Sequence, residues 1–352
     1  MSALDDYLRM LKEQTATALH LSTARRPMLR VKGDLVALQG KNLLDDITLR
    51  ALLKEALGAE RWDAFQEDLD CDFTITTGKY GRYHGNCSMT ESGITAVFES
   101  IRDVPESLDS LGVPRLARDL LQARSGLVIV CGPHASGKST TIAALVNDLN
   151  VSQPLHIVTI ESPVGTLHRN QRSVVSQREV GRHTGAFPAA IVAALRQDAD
   201  VITVGELSER DAVTNAIDAA HQGALVIAEA HTPTAVSAIE GVLSAFPEDA
   251  RAEARASLSD NLLGVIGQVL CRRKDGGRVA AYEVISNRGE VRELISSGAD
   301  QQLEALLESP HDGTQRIDDS LLALIASGAI EGREGHRRAR DKKRFSQHAP
   351  TA

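Results

Sequence analysis

Leu4, Leu8, Met10 and Leu11 recur at helical spacing within residues 3–17 and predict an amphipathic helix with one apolar face. The segments ALHLS (18–22) and PMLRVKGDLVAL (27–38) read as strands, the second turning at Lys32-Gly33-Asp34. Residues 45–68 return to a helical pattern. CDFTITT (71–77), GRYHGNCSM (81–89) and TAVFESI (95–101) then alternate like strands of an antiparallel sheet. Residues 1–103 are thus expected to form a mixed α+β domain, and the turn-rich RDVPESLDSLGVP opens a linker over 104–120.

Beyond SGLVIVCG the rhythm changes. Short apolar runs (LVIVCG, HIVTIE, VITVGE, ALVIAEAH) alternate with helical segments over 138–150, 188–197, 209–221 and 233–243. That alternation predicts an α/β fold whose parallel sheet is covered on both faces. Residues 248–270 and 300–328 read as further helices. The expected division is an ATPase-type core over 121–287, a helical region over 288–332 and a tail over 333–352. The tail carries REGHRRARDKKRF and reads as a disordered, solvated charge run, with a contact to a partner or an acidic lipid as the other reading.

A length of 352 residues suits two domains with sizeable cores. Aromatics make up only 3%, so those cores must be built mainly from Leu, Val, Ile and Ala. The net charge of −8 argues against a protein that coats nucleic acid by neutralising phosphates. MSALDDYLRM does not read as a signal peptide, and the apolar runs are too short to cross a bilayer, so a cytoplasmic protein is expected. Cys71, Cys87, Cys131 and Cys271 lie far apart without a CxxC, which favours reduced, half-buried apolar residues over a zinc site or a disulfide framework.

The chemistry is concentrated in CGPHASGKSTT (131–141). Gly132, Gly137, Lys138 and Ser139 satisfy G-x-x-x-x-G-K-[ST], after a strand and at the start of a helix. The loop from Gly132 and Pro133 through Ser136 to Thr140 would form an anion nest at a helix N-terminus, built from the N–H groups of its non-proline residues. Lys138 would reach the β- and γ-phosphates of ATP, while Ser139 would hold Mg²⁺. Ala135 stands at a position where a flexible residue is usual; at positive φ it would cost about 1–2 kcal/mol. Hydrolysis also needs carboxylates. Glu161 and Glu206 end two apolar strands whose C-terminal ends should share the edge of the sheet with the loop, Glu206 joining Ser139 around the metal. His231, after VIAEA, could reach the same edge as a γ-phosphate sensor, although a lone His after a strand is as often structural.

These motifs, in this order, resemble the PilT/PilU branch of the hexameric secretion ATPases (the superfamily of GspE, PulE, PilB and PilT), which powers retraction of type IV pili in twitching motility. The resemblance spans about residues 4–330. It includes ALHLS…PMLRVKGDL, TIESP, QREV…ALRQDAD, VGE, AEAHT, LSDNLLGVIGQVLCRRKDGGRVAAYEVI and EVRELI. It implies a PAS-like N-terminal domain, a RecA-like C-terminal domain and a homohexameric ring binding nucleotide between domains and neighbours. It implies Glu161 as catalytic base, Glu206 in the metal shell, His231 as the second histidine of the histidine box, and Arg82 acting on nucleotide from the N-terminal domain. The longer N-terminal region and four-cysteine insertion of assembly and type II secretion ATPases are absent, which favours the retraction branch.

Departures from the family pattern bear on activity. Ser162 replaces an aspartate, Ala224 a histidine, and Glu229 the threonine of TLHT. Of the N-domain arginines only Arg82 is kept; His84, Ser92 and Glu99 take the other positions, with Arg102 nearby. AIRNLIRE survives as Val291, Arg292, Leu294 and Ile295, its second arginine being Ser296. The leading expectation is an ATP-hydrolysing pilus motor at the cytoplasmic side of the inner membrane, pulling on a platform protein. A weakly hydrolysing paralogue docked on an active ring is the second, and a secretion or conjugation ring ATPase the third. Direct nucleic-acid contact is not expected.

Overall fold

The structure, a computed structural model, describes residues 3–308 and 311–349. They form two compact units: residues up to Asp103 together with Gly165–Leu167, and Val104–Val164 together with the chain from His168 on.

In the first unit, α1 (Ala3–Glu13) buries Leu4, Leu8 and Leu11, the i, i+4, i+7 stripe of an amphipathic helix. Six strands follow as an antiparallel sheet: β1 (Ala18–Ser22), β2 (Met28–Val31), β3 (Asp34–Ala37), β4 (Asp70–Thr77), β5 (Gly81–Thr90) and β6 (Gly93–Ile101). Their spatial order is β3-β2-β1-β6-β5-β4. Helix α2 (Asp46–Asp68) is capped by Asp45, whose carboxylate accepts from Thr48 N at 2.7 Å. The sequence predicts one continuous helix here, but Gly58 at φ 75° interrupts it, a conformation that costs glycine little. On β5, Tyr83, Gly85 and Cys87 face the core; a Cβ at Gly85 would lie 2.4 Å from the Phe73 ring, so the absent side chain lets that ring pack flat on the strand.

The second unit is built on α3 (Arg115–Asp119), β7 (Gly126–Cys131), α4 (Lys138–Ser152), β8 (His156–Glu161), β9 (Val174–Glu179), α5 (Phe187–Arg196), β10 (Val201–Val204), α6 (Arg210–His221), β11 (Leu225–Ala230), α7 (Ala235–Ser244) and α8 (Arg251–Asn261). It continues with β12 (Leu262–Arg272), β13 (Arg278–Ser286), α9 (Glu290–Ser297), α10 (Asp300–Leu307), β14 (Thr314–Gln315), α11 (Ile317–Ala326) and α12 (Gly332–Arg338). The eight-stranded sheet runs β14-β13-β12-β7-β11-β10-β8-β9. It is parallel from β12 to β9 and antiparallel at β13 and β14. Strands β7, β10 and β11 are buried at every residue, as a sheet covered on both faces requires. The α/β class expected from the sequence is the one observed. Among the described residues no helix is long and apolar enough to cross a membrane.

Four sequence expectations are corrected. The run 248–270 is helical only to Asn261; from Leu262 it is a strand, wedged between β7 and β13. Its continuous apolarity is equally compatible with a buried helix or a buried strand, and the pairing on both sides decides the matter. The segment 300–328 is two helices separated by β14, with residues 309–310 outside the described residues. The supposed linker 104–120 packs into the second unit: Leu108, Val113, Ala117 and Leu120 are buried against Val128, Val130 and Tyr282.

The basic tail is the fourth correction. Through residue 349 it is folded onto the second unit, and residues 350–352 lie outside the described residues. Phe345 is fully buried with Cys271, Ile317, Leu321 and Ile330. Arg340 meets buried Glu283 at 2.6 Å, Arg344 meets Asp319 at 2.7 Å, and Asp318 accepts from the backbone N–H groups of Arg340 and Asp341. Burial alone would raise the Asp319 carboxyl, but hydrogen bonds from Arg316 and Arg344 hold it below the usual carboxylate range. The charge run is therefore paired rather than solvated. Phe345→Ala should lower the stability of the full chain by about 3 kcal/mol in chemical denaturation, the cost of emptying a closed aromatic site; a fraying tail would leave the midpoint unchanged.

Candidate functional site: a phosphate-binding loop and its carboxylates

Strand β7 and helix α4 present the loop 132–137 at the C-terminal end of the parallel sheet. Gly132 has φ 152° and lies against β12: a Cβ there would sit 2.4 Å from the Gln268 carbonyl oxygen. Gly137, at φ 90°, is the N-cap of α4. Gln268 closes the loop from below, its Nε2 donating to the Ser136 carbonyl at 2.7 Å. The Ser136 hydroxyl is buried and has no hydrogen-bond partner among the described residues, while Pro133, His134 and Ala135 face solvent. Ala135 adopts φ 58°, the left-handed region that an L side chain enters at a cost. The strain conditional on that backbone conformation is therefore present.

Lys138 is buried, and its ammonium is turned back into the loop. Nζ donates to the carbonyls of Gly132 at 2.9 Å and Pro133 at 3.0 Å, and lies 3.5 Å from Glu229 Oε1. Ser139 Oγ donates to Glu229 Oε2 at 3.0 Å. Thr140, half-buried in the first turn of α4, completes the predicted loop.

Three glutamates end the three consecutive strands beyond β7. Val204 on β10 is level with Ile160 on β8 and Ala228 on β11, so Glu161 and Glu229 each stand one residue past that row and Glu206 two residues past it. Backbone bonds lace these ends together: Gly205 N donates to Ile160 O at 2.9 Å, and Leu207 N to Glu229 O at 3.0 Å. Glu161 Oε1 accepts from Thr159 Oγ1 at 2.6 Å and from Gln177 Nε2 on β9 at 3.1 Å, so its carboxylate is aimed by two fixed donors. Glu206 is half-buried. His231 follows β11 with a half-exposed side chain, its Nδ1 3.9 Å from Glu229 Oε1. Cys131, one residue before the loop, packs as an apolar group: burial, with the Glu283 carboxylate behind it, pushes its thiol up to about 12.

Arg82 is on β5 of the first unit, level with Thr76 and Ile101, and its Nε is buried without a hydrogen-bond partner among the described residues. The residues at the other family arginine positions are used locally. His84 pairs in register with Glu99 and lies 3.4 Å from Asp72, and Ser92 meets Thr90 in a hairpin.

Sequence reasoning gave no role to Gln268, Gln177 or Thr159. Gln268 lay in a segment read as helix, and Gln177 in the quoted QREV. Glycines 264 and 267 beside Gln268 were a usable signal, since glycine inside an apolar run marks a strand approached closely by other backbone. The Gly264 Cβ position is 2.3 Å from Ile285 O.

An oxygen-only donor pair, Ser139 and Glu229, together with an anion nest, suits a hard divalent cation and a phosphate chain. Residues 106–284 match the family model described as type II/IV secretion system protein. The chain is 34% identical to a twitching motility protein of Neisseria gonorrhoeae, over 91% of this chain and 86% of the relative. It is also 34% identical to a Pseudomonas aeruginosa protein described as the type IV pilus retractation ATPase PilT, over 97% of this chain and 99% of that one. A crystal structure described as the pilus retraction motor PilT with bound ADP superposes with a TM-score of 0.85 at 32% identity, covering 97% of this chain and 98% of that one.

Ala135→Gly should relieve the loop's strain and raise stability by about 1 kcal/mol. Urea denaturation of the nucleotide-free protein checks this; an unchanged or lowered midpoint would mean the left-handed alanine costs nothing.

Proposed function

The chain belongs to the type II/IV secretion system protein family, and from that premise we propose that it is the ATP-hydrolysing motor that retracts type IV pili. The observation that carries the proposal is the intact nucleotide site in a chain that matches a retraction ATPase from end to end. Mg-ATP is bound through residues 132–140. When bound, Mg²⁺ supplies positive charge against the β- and γ-phosphates; Ser139 and Glu206 would hold it. Lys138 moves from its carbonyl partners to the phosphates. Glu161, aimed by Thr159 and Gln177, takes the proton of the attacking water as the bond between the γ-phosphorus and the bridging oxygen breaks and ADP leaves. His231 reads the γ-phosphate.

Six copies form a ring, the assembly that the resemblance to retraction ATPases implies. The ring works on the cytoplasmic side of the inner membrane and pulls on the platform protein of the pilus base. One observation supports a second reading, an accessory paralogue that binds nucleotide and modulates an active ring: His84, Ser92 and Glu99 bring no arginine to positions where the family has one, and an arginine finger is worth about 10³–10⁵ in rate.

Steady-state ATP hydrolysis by the purified hexamer, with Glu161→Gln as comparison, separates the two. Wild-type turnover that the substitution lowers by at least about 10²-fold, the ordinary worth of a general base, supports the motor. Equal, background-level rates with nucleotide still bound would leave the accessory subunit as the better account.

A further inference from the structure

Glu229 puts a negative charge where phosphates must bind. The residue is only 7% exposed, fixed by Leu207 N on its carbonyl and by Ser139 Oγ on its carboxylate. Two of the protein groups that a phosphate chain and its cation would use, the Lys138 ammonium and the Ser139 hydroxyl, already engage this one side chain. With two loop carbonyls also on Nζ, the three donors of Lys138 are all accounted for in the empty site.

We propose that Glu229 makes this site a receptor for the metal–nucleotide complex and a poor one for free nucleotide. The inference rests on the nucleotide-binding reading above and adds to it which form of the ligand the site accepts. Free ATP brings four negative charges to a nearly buried carboxylate that stays in place through its strand, and like charges at contact distance in such a setting repel strongly. A divalent cation reverses the sign of that encounter, because the carboxylate and the Ser139 hydroxyl, 3.0 Å apart, are both oxygen donors of the kind Mg²⁺ prefers. Lys138 is then released to the phosphates as its carboxylate partner turns to the metal. His231, beside the same carboxylate, is placed to sense that change. The consequence is that nucleotide occupies the motor only weakly without the metal required for hydrolysis.

The test is equilibrium binding of fluorescent ATP to the full-length protein in Mg²⁺ and in EDTA, comparing wild type with Glu229→Gln, which keeps shape and removes charge, and with Glu229→Thr as a second neutral variant. The expected result is that either substitution tightens binding in EDTA by at least about tenfold while changing the affinity in Mg²⁺ much less, so that the dependence on metal collapses. Equal changes in the two buffers, or none, would overturn the inference and leave the ATPase reading intact. Wild-type protein that binds nucleotide in neither buffer would overturn the nucleotide-binding reading, and this inference with it.

Discussion

The phosphate loop holds its shape because two stretches of backbone come closer together than any side chain would allow. At Gly132 the loop lies on the Gln268 carbonyl, and from the same residue an amide reaches up to the Ser136 carbonyl. One end of the loop is thereby pressed against β12 and the other tied to it, so a buried strand fixes the geometry that the loop's own glycines permit. Gln268 is 2% exposed, so the tie is shielded from water, where an amide hydrogen bond is hard to exchange and costly to lose. Within this frame Ala135 is held at φ 58° although no glycine is there to make that conformation cheap. Substituting Gly132 differs from substituting Gly137: the first position is closed by backbone contact with β12, whereas at the second, at φ 90°, a Cβ would meet only the Gln268 and Leu270 side chains.

The row on which the loop rests continues outward. Ala230, Cys131, Gly267 and Glu283 stand side by side on β11, β7, β12 and β13. Glu283 receives the N–H of Ala235 at the start of α7 and the guanidinium of Arg340 from the C-terminal segment. A carboxylate with 2% exposure is tolerable only with such partners, since an unpaired buried charge costs several kcal/mol. The C-terminal basic segment thus supplies a partner to a buried carboxylate on β13, next to the edge strand β14, and is anchored there by Phe345 as well. As a buried ion pair it is weak evidence for extra stability, but it fixes where the segment sits.

The sequence reveals what is local in this structure and hides what is paired across distance. The loop is legible because strand, glycines, lysine and helix start lie within a dozen residues and each has a physical reason to be there. Glu161 and Glu206 are legible because a parallel sheet puts its strand ends on one edge. Strand β12 is not, because LLGVIGQVL is apolar throughout and carries no period; only β7 and β13, far away in sequence, decide that it is extended. The tail is not, because its arginines read as a charge run until Glu283, Asp318 and Asp319 are brought to it. The register of Glu99 with His84 likewise depends on a hairpin whose partner lies fifteen residues away, so it emerges only with the sheet.

Glu229 and Ala135 act on the empty loop in opposite directions. The alanine raises the free energy of the loop whether or not it is occupied, because φ is the same constraint in both states. The glutamate lowers it only when the site is empty, since it supplies Lys138 and Ser139 with partners that an anion must then replace. A loop without Glu229 would wait as an open nest of donors with a buried, incompletely paired ammonium, a costly arrangement that any small anion would relieve. A loop with it is already neutralised, and what can enter must bring positive charge along with negative. On the inference drawn above, a single carboxylate on β11 contributes to the energetic distinction between an empty site and a loaded one, on which a motor's cycle depends.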